Sequence, residues 1–321
     1  MKGKKKAGAG SRPAGWTEGA EELRIKVRGP MIRVISEAVY SQAIGSRQAT
    51  QLRMTLFVPN SPGMHPAVLF FPGGGWLQAA KERFIECRLA LARAGFVAAS
   101  AEYRTLPQAF PAQVQDGRAA VRFLRAHASD FSVDPTRIGV MGNSAGGWLA
   151  LMVAFSGSRK GWDSDEWKDF SSAVQACCAL HPVTQLSSLS EGLSPEGRAA
   201  HSGPASAESL LLHGISFSGA GRALDPKEEA AAGASPEALL RRRRRGCTLP
   251  PVLLMHGTAD RLVSPLQSAA LYERLRALGS PARYLLLEGV DHSSDPSWYQ
   301  EEVSREIVRF FRQALGAVRE A

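Results

Sequence analysis

The stretch "RIGVMGNSAGGWLAL", residues 137–151, changes its character halfway along. Ile138-Gly139-Val140-Met141 is an apolar, partly β-branched run suited to a strand, and Trp148 to Leu151 reads as helix. Between them, Gly142-Asn143-Ser144-Ala145-Gly146-Gly147 surrounds one serine with small residues. A strand that becomes a helix in so few residues must turn sharply, and the positions flanking Ser144 then need room that a β-carbon would occupy. The turn holds the serine strained, with its oxygen outward. A helix starting at about Ala145 aims its free N–H groups and its dipole at the same spot. The plainer alternative is a tight turn with Ser144 as a helix cap. Its place between an apolar strand and an apolar helix points instead to a nucleophile.

The rest of the chain supplies a sheet for such a turn. "MIRVISEAVY" and "ATQLRMTLFV" alternate like half-buried strands, and "AVLFF" (67–71) is apolar throughout, like a strand covered on both faces. The spacing predicts helices over 83–95 and 266–279, closed by Gly95 and Gly279, over 111–128, and over 301–315. "FVAASAEY", "AVQACCAL", "PPVLLMHG" and "ARYLLLEG" are the intervening strands. This alternation predicts an α/β fold, a mostly parallel sheet with helices on both faces. Ligands bind such sheets beyond the carboxyl ends of the strands, where Ser144 lies.

A length of 321 residues and a hydrophobic content of 44% fit one α/β unit over residues 30–321. Residues 1–29, rich in Lys, Gly and Ala, read as a basic, flexible extension. The segment at about 185–247 interrupts the alternation and is too long for a plain loop. It is expected to be an irregular excursion or partial lid near the substrate end of the sheet.

The net charge of +9 resembles a nucleic-acid signal until it is located. Residues 1–28 carry eight Lys/Arg against three Glu, and Arg241 to Arg245 add five Arg; these segments hold +10 and the remainder −1. Nucleic acid is therefore not an expected partner, and both segments read as solvated. Cys87, Cys177, Cys178 and Cys247 have no metal-binding spacing. Cys177 and Cys178 fit core positions, and neither a metal nor a disulfide framework is indicated. The start of the chain has no apolar stretch of signal-peptide length, and no spanning helix is expected. The expected compartment is the cytoplasm.

A serine needs a base, and the base needs a group to orient it. Of seven histidines, His292 in "LLLEGVDHSSDP" follows a strand end. His256 ends a strand but precedes "GTAD", which suits local bonding. His65, His127, His181, His201 and His213 read as surface or structural. Asp260 in "LLMHGTADRLVSP" lies beyond a strand end on the same sheet edge; its plain alternative is an Asx-turn. Asp291 and Asp295 are rival acids, poorly placed to reach the ring of a histidine so close in sequence. "FFPGGGWLQ" (70–78) sets three glycines after an apolar strand, so Gly74, Gly75 and Ala145 are the expected N–H donors to an oxyanion.

"FPGGGW", "AEYR", "FPAQVQDGRAAVRFLRAHASDFSVDPTRIGVMGNSAGG", "HGTADRLVSPLQSAALYERLRALG" and "GVDH" together resemble the α/β-hydrolase superfamily, over about residues 31–315. The likeness is to its esterase/lipase branch, near hormone-sensitive-lipase-like esterases and bacterial feruloyl and acetyl-xylan esterases. It implies an α/β-hydrolase fold with about eight strands and cofactor-free ester hydrolysis through an acyl-enzyme. It implies Ser144 as nucleophile, Asp260 as acid, His292 as base, and Gly74, Gly75 and Ala145 as the oxyanion hole; the order Ser, Asp, His is that of the superfamily. One departure is Pro72, where the family usually has a histidine that orders the glycine loop. The expected substrates are small-molecule esters of short-chain or acetyl type, acylated carbohydrate among them. Two other readings are an amide hydrolase of the same fold, formamidase- or peptidase-like, and a non-catalytic binding protein.

Overall fold

The computed structural model describes residues 13–27, 29–44, 49–157, 159, 161–216, 219–241, 243 and 248–316. Most of the cationic part of the predicted extension (1–12 and Arg28) lies outside these, as do Arg242, Arg244, Arg245 and Cys247. Residues 13–27 form no helix or strand and are mostly exposed.

Eight strands form one sheet: β1 (Ile32–Ile44), β2 (Ala49–Pro59), β3 (His65–Phe71), β4 (Val97–Ala101), β5 (Val133–Asn143), β6 (Ala176–Leu180), β9 (Val252–Gly257) and β10 (Ala282–Leu287). Their spatial order is β1-β2-β4-β3-β5-β6-β9-β10. β2 is antiparallel to both its neighbours, and the pairings from β4 to β10 are all parallel. This is the predicted architecture.

The apolar runs are explained by covering on both faces. Every residue of β3 is buried. Ala67, Leu69 and Phe71 join one core cluster, whereas Val68 and Phe70 join the other. The first cluster takes up α2 (Ala112–Ala126), α3 (Ala145–Ser156) and α8 (Leu266–Ala277), and the second α1 (Ile85–Arg93) and α9 (Glu301–Leu315). α9 buries Val303, Ile307, Phe310 and Phe311, spaced as one helical stripe. α3, directly after Ser144, is buried nearly all round, which is why its sequence shows no polar face.

The helix predicted from residue 83 begins only at Ile85, because Phe84 adopts φ 54° and cannot continue the helical backbone. Cys87, Cys177 and Cys178 are free and buried, Cys177 and Cys178 at the core positions read from sequence. Among the described residues no helix is long and apolar enough to cross a membrane.

The 185–247 segment is more regular than its composition suggests. It holds α4 (Pro195–Ala200), α5 (Ala207–His213), a short hairpin β7 (Ile215–Ser216) and β8 (Gly219–Ala220), α6 (Glu229–Gly233) and α7 (Pro236–Arg241). Ser194-Pro195 is a helix-start signal within the polar stretch, and Ser194 Oγ accepts from Gly197 N at 3.2 Å. Trp148 Nε1 on α3 donates to Ala234 O at 2.7 Å, tying the segment to the core. Two members of the arginine run are engaged: Arg241 pairs with Glu237, and Arg243 donates to Phe155 O.

Candidate active site

Ser144 occupies the turn between β5 and α3 with φ 53° and ψ −123°. A non-glycine residue at positive φ is strained and is held there by its surroundings. Here the holding contacts are close. A β-carbon added at Gly146 would sit 2.0 Å from Phe71 O, and one at Gly142 would sit 2.2 Å from Gly146 O. Ser144 N donates to Leu180 O at the end of β6. The hydroxyl makes no capping bond to α3. It lies instead 2.9 Å from His292 Nε2.

On the other side of that ring, His292 Nδ1 is 2.7 Å from Asp260 Oδ2. Asp260 follows β9 and is buried. Burial alone would raise its pKa, but hydrogen bonds from His256 and His292 outweigh it and hold the carboxyl well below the usual carboxylate range. An ionised carboxylate only accepts, so Nδ1 of His292 carries a proton and Nε2 is free to accept from the serine hydroxyl. The Asx-turn reading of Asp260 also holds: its Oδ1 accepts from Leu262 N and Val263 N at 2.9 and 2.8 Å. One oxygen makes the turn while the other faces the ring.

The rival acids do other work. Asp291 pairs with Arg261 and accepts from the His292 backbone N–H. Asp295 accepts from Asp291 N and caps the 3-10 turn at Pro296–Tyr299. Tyr299 Oη donates to Ser293 O, so the loop carrying His292 is pinned on both sides. His256 bonds locally to Ser268 Oγ and Val263 O and also reaches Asp260 Oδ2 at 3.2 Å. His65, His127, His201 and His213 bond to neighbours elsewhere in the fold.

His181 also belongs to this site. Read from sequence as one more surface or structural residue, it packs at this site, fully buried, with its ring 4.4 Å from that of His292 and 4.5 Å from Trp298. Neither ring nitrogen has a hydrogen-bond partner among the described residues. Burial, then the neighbouring His292 and His256, push its pKa well below the ordinary value, against an opposing pull from Asp260. Ligating atoms of His181, Asp260 and His292 lie within 4.8 Å of one another and are the described group best placed to meet a metal ion. In this arrangement two of the three are already bonded to each other.

The glycine loop follows β3. Asn143 Oδ1 accepts from Gly73 N at 2.8 Å, and Tyr103 Oη donates to Pro72 O at 2.7 Å. Both bonds are buried, and they order the loop where the family histidine is absent. Gly74 and Gly75 take φ 150° and 59°; a β-carbon at Gly74 would meet Gln78 O at 2.4 Å. Among the described residues no acceptor is found for the N–H groups of Gly74, Gly75 and Ala145. Gly74, Gly75, Ser144 and His292 line one cavity of about 690 Å³, with Arg83, Ser194, Glu196, Arg261 and Ser293 also on its walls. Ala145 opens α3 behind Ser144 and does not line the cavity itself. Asn143 and Tyr103 were not singled out from sequence. Their partners are 70 and 31 residues away, so no local pattern marks them.

A protein-family model described as BD-FAE matches residues 54–275. A probable isoprenylcysteine alpha-carbonyl methylesterase of Arabidopsis thaliana, ICMEL1, is 28% identical over 75% of this chain and 48% of its own length. Esterase LipC of Mycobacterium tuberculosis is 27% identical over 74% of this chain and 55% of its own. The chain thus spans about half the length of these curated relatives. Among solved structures, a truncated carbohydrate esterase from gut microbiota superposes with a TM-score of 0.73 at 22% identity, covering 89% of this chain and 99% of that one. Thermogutta terrifontis esterase 2, phosphoramylated by tabun, gives 0.67 at 24% identity over 93% of this chain and 100% of that one. These two likenesses are of fold. The family model spans more than half of the sequence, including both the glycine loop and the serine turn, and the chain belongs to the BD-FAE family.

Proposed function

We propose that the protein is a serine-dependent carboxylic ester hydrolase, a carboxylesterase-type enzyme working through an acyl-enzyme. The observation that carries this reading is the continuous hydrogen-bonded chain Ser144–His292–Asp260 at the carboxyl end of the sheet. His292 takes the hydroxyl proton as Ser144 Oγ attacks the ester carbonyl. Asp260 fixes the tautomer and stabilises the imidazolium. The N–H groups of Gly74, Gly75 and Ala145 receive the oxyanion. His292 then returns the proton to the leaving alcohol. A water deprotonated by His292 attacks the acyl-enzyme, His292 gives that proton to Ser144 Oγ as its bond to the acyl group breaks, and the acid departs.

The substrates in this reading are short-chain or acetyl esters, including acylated carbohydrate. The probable isoprenylcysteine methylesterase and esterase LipC among its relatives support an ester substrate. The 185–247 segment acts as a partial lid, because Ser194, Glu196, Gly197 and Ala200 form one wall of the cavity. Ser144→Ala is expected to cut para-nitrophenyl acetate hydrolysis by a factor on the order of 10^4 or more, with the fold intact. An organophosphate should label the parent protein at Ser144 and leave the variant unlabelled. Hydrolysis that survives the substitution unchanged would refute the reading.

A further inference from the structure

Arg83 is the one cation on the cavity wall without a protein partner among the described residues. Arg261, the other arginine there, is paired with Asp291. Arg83 lines the same cavity as Ser144 and His292, is partly buried, and has neither an ion pair nor a side-chain hydrogen bond among those residues. Long cationic side chains without partners normally extend into bulk water, where holding them costs nothing.

The backbone around Arg83 is clamped. Two residues before it, Lys81 is buried and forms ion pairs with Glu37, Glu82 and Glu102 at 2.9, 3.3 and 2.8 Å. Immediately after it, Phe84 is held at φ 54° with its ring buried against Phe70 and Tyr299, at centroid distances of 5.6 and 4.8 Å. Tyr299 in turn holds Ser293, next to His292. The backbone from which Arg83 extends is therefore held in place beside the loop bearing His292. Other residues of the cavity wall bring different chemistry. The exposed Glu196 has its carboxyl pKa lowered by hydrogen bonds from its own backbone N–H and from Ser194, and Ser194, Ser293 and Ser294 add hydroxyls.

We propose that Arg83 forms a carboxylate subsite, so that the preferred substrates are esters bearing a single carboxylate on the alcohol or the acyl half. This rests on the esterase reading above and adds the substrate class. A planar guanidinium pairs a carboxylate through two parallel hydrogen bonds. Glu196 opposes a second negative charge and accepts from substrate hydroxyls.

Two matched pairs of esters test this. Para-acetoxybenzoate against its methyl ester places the carboxylate on the alcohol. The para-nitrophenyl monoester of adipic acid against its methyl-capped form places it on the acyl half. In Arg83→Gln, kcat/KM for the carboxylate member of at least one pair should fall roughly 10- to 100-fold, with the neutral members within about threefold, and Arg83→Lys should recover part of the loss. Unchanged ratios in both pairs, from a variant that still hydrolyses the neutral esters, overturn the subsite. Binding of para-hydroxybenzoate and adipate is measured by calorimetry on the parent chain, on Arg83→Gln and on Ser144→Ala, so the result does not depend on turnover. Binding lost only in Arg83→Gln supports the subsite even if no ester is cleaved, an outcome that would sink the esterase reading alone. With no turnover, equal binding in all three, or none in any, overturns the subsite as well.

Discussion

His181 touches His292 with a ring that must stay neutral to remain buried. An unfolded histidine takes a proton near pH 6.5, whereas the folded His181 resists protonation well below that value. Between those limits the unfolded chain binds a proton that the folded chain refuses. This contribution to stability is therefore full above pH 6.5 and is lost as pH falls, by up to about 1.4 kcal/mol per unit. Asp260 acts in a different window: its lowered pKa stabilises the fold above its ordinary value near 3.8 and is lost only below it. Replacing His181 by Phe should thus remove a pH dependence. Denaturant unfolding between about pH 7.5 and 5.5 should show the parent losing stability relative to His181→Phe on acidification; a constant gap would refute the account. Asp260→Asn acts on the reaction instead. Its amide can donate to Nδ1 and reverse the tautomer of His292, and kcat for para-nitrophenyl acetate should fall by a factor on the order of 10^4. A loss below tenfold would show that the carboxylate does not orient the base.

At the scale of elements, the glycine loop and the serine turn are one unit. Asn143, the last residue of β5, holds Gly73 N with Oδ1 and donates to Ser293 Oγ with Nδ2 at 3.1 Å. It thereby joins β5, the loop after β3 and the loop bearing His292. Trp76, at φ 60°, packs edge-on to Trp148 of α3 and fixes the far end of the glycine loop. Asn143→Ala would leave the Gly73 N–H buried without an acceptor, a cost of about 1–3 kcal/mol. The expected result is a folded protein whose kcat falls roughly 10- to 100-fold with KM little changed, because the proposed donors to the oxyanion lose their fixed position. A changed KM with unaltered kcat would place Asn143 outside this role. The turn itself was legible in the sequence, because GNSAGG packs small residues around one serine between an apolar strand-like run and an apolar helix-like one. Its anchors were not. Asn143, Tyr103 and His181 act through contacts across the sheet, and a single polar residue at a strand end looks the same whether it bonds to water or to a loop 70 residues distant.

At the scale of the whole molecule, the sheet separates two cores, and the reacting groups stand at one end of both. Apolar runs such as "AVLFF" revealed the covered strands, since burial on both faces removes every polar residue from the pattern. The short helices between 185 and 247 stayed hidden because each is too brief to display a periodic face, and only the Ser or Pro starts of α4, α5 and α7 betray them. The division into two cores also separates stability from chemistry. Phe311 of α9 is fully buried over β5, where a β-carbon on Gly139 would meet its ring at 2.6 Å. Gly139 lies five residues before Ser144, back along the strand from the cavity. Phe311→Ala should therefore lower unfolding stability by about 3–5 kcal/mol through the cavity it opens. At a temperature where the variant stays folded, its kcat/KM for para-nitrophenyl acetate should remain within about twofold of the parent, since Ser144 is held by Phe71, Leu180 and Gly146 rather than by α9. A folded variant that loses activity along with stability would mean that α9 supports the serine turn through the sheet, and that the two cores are mechanically coupled.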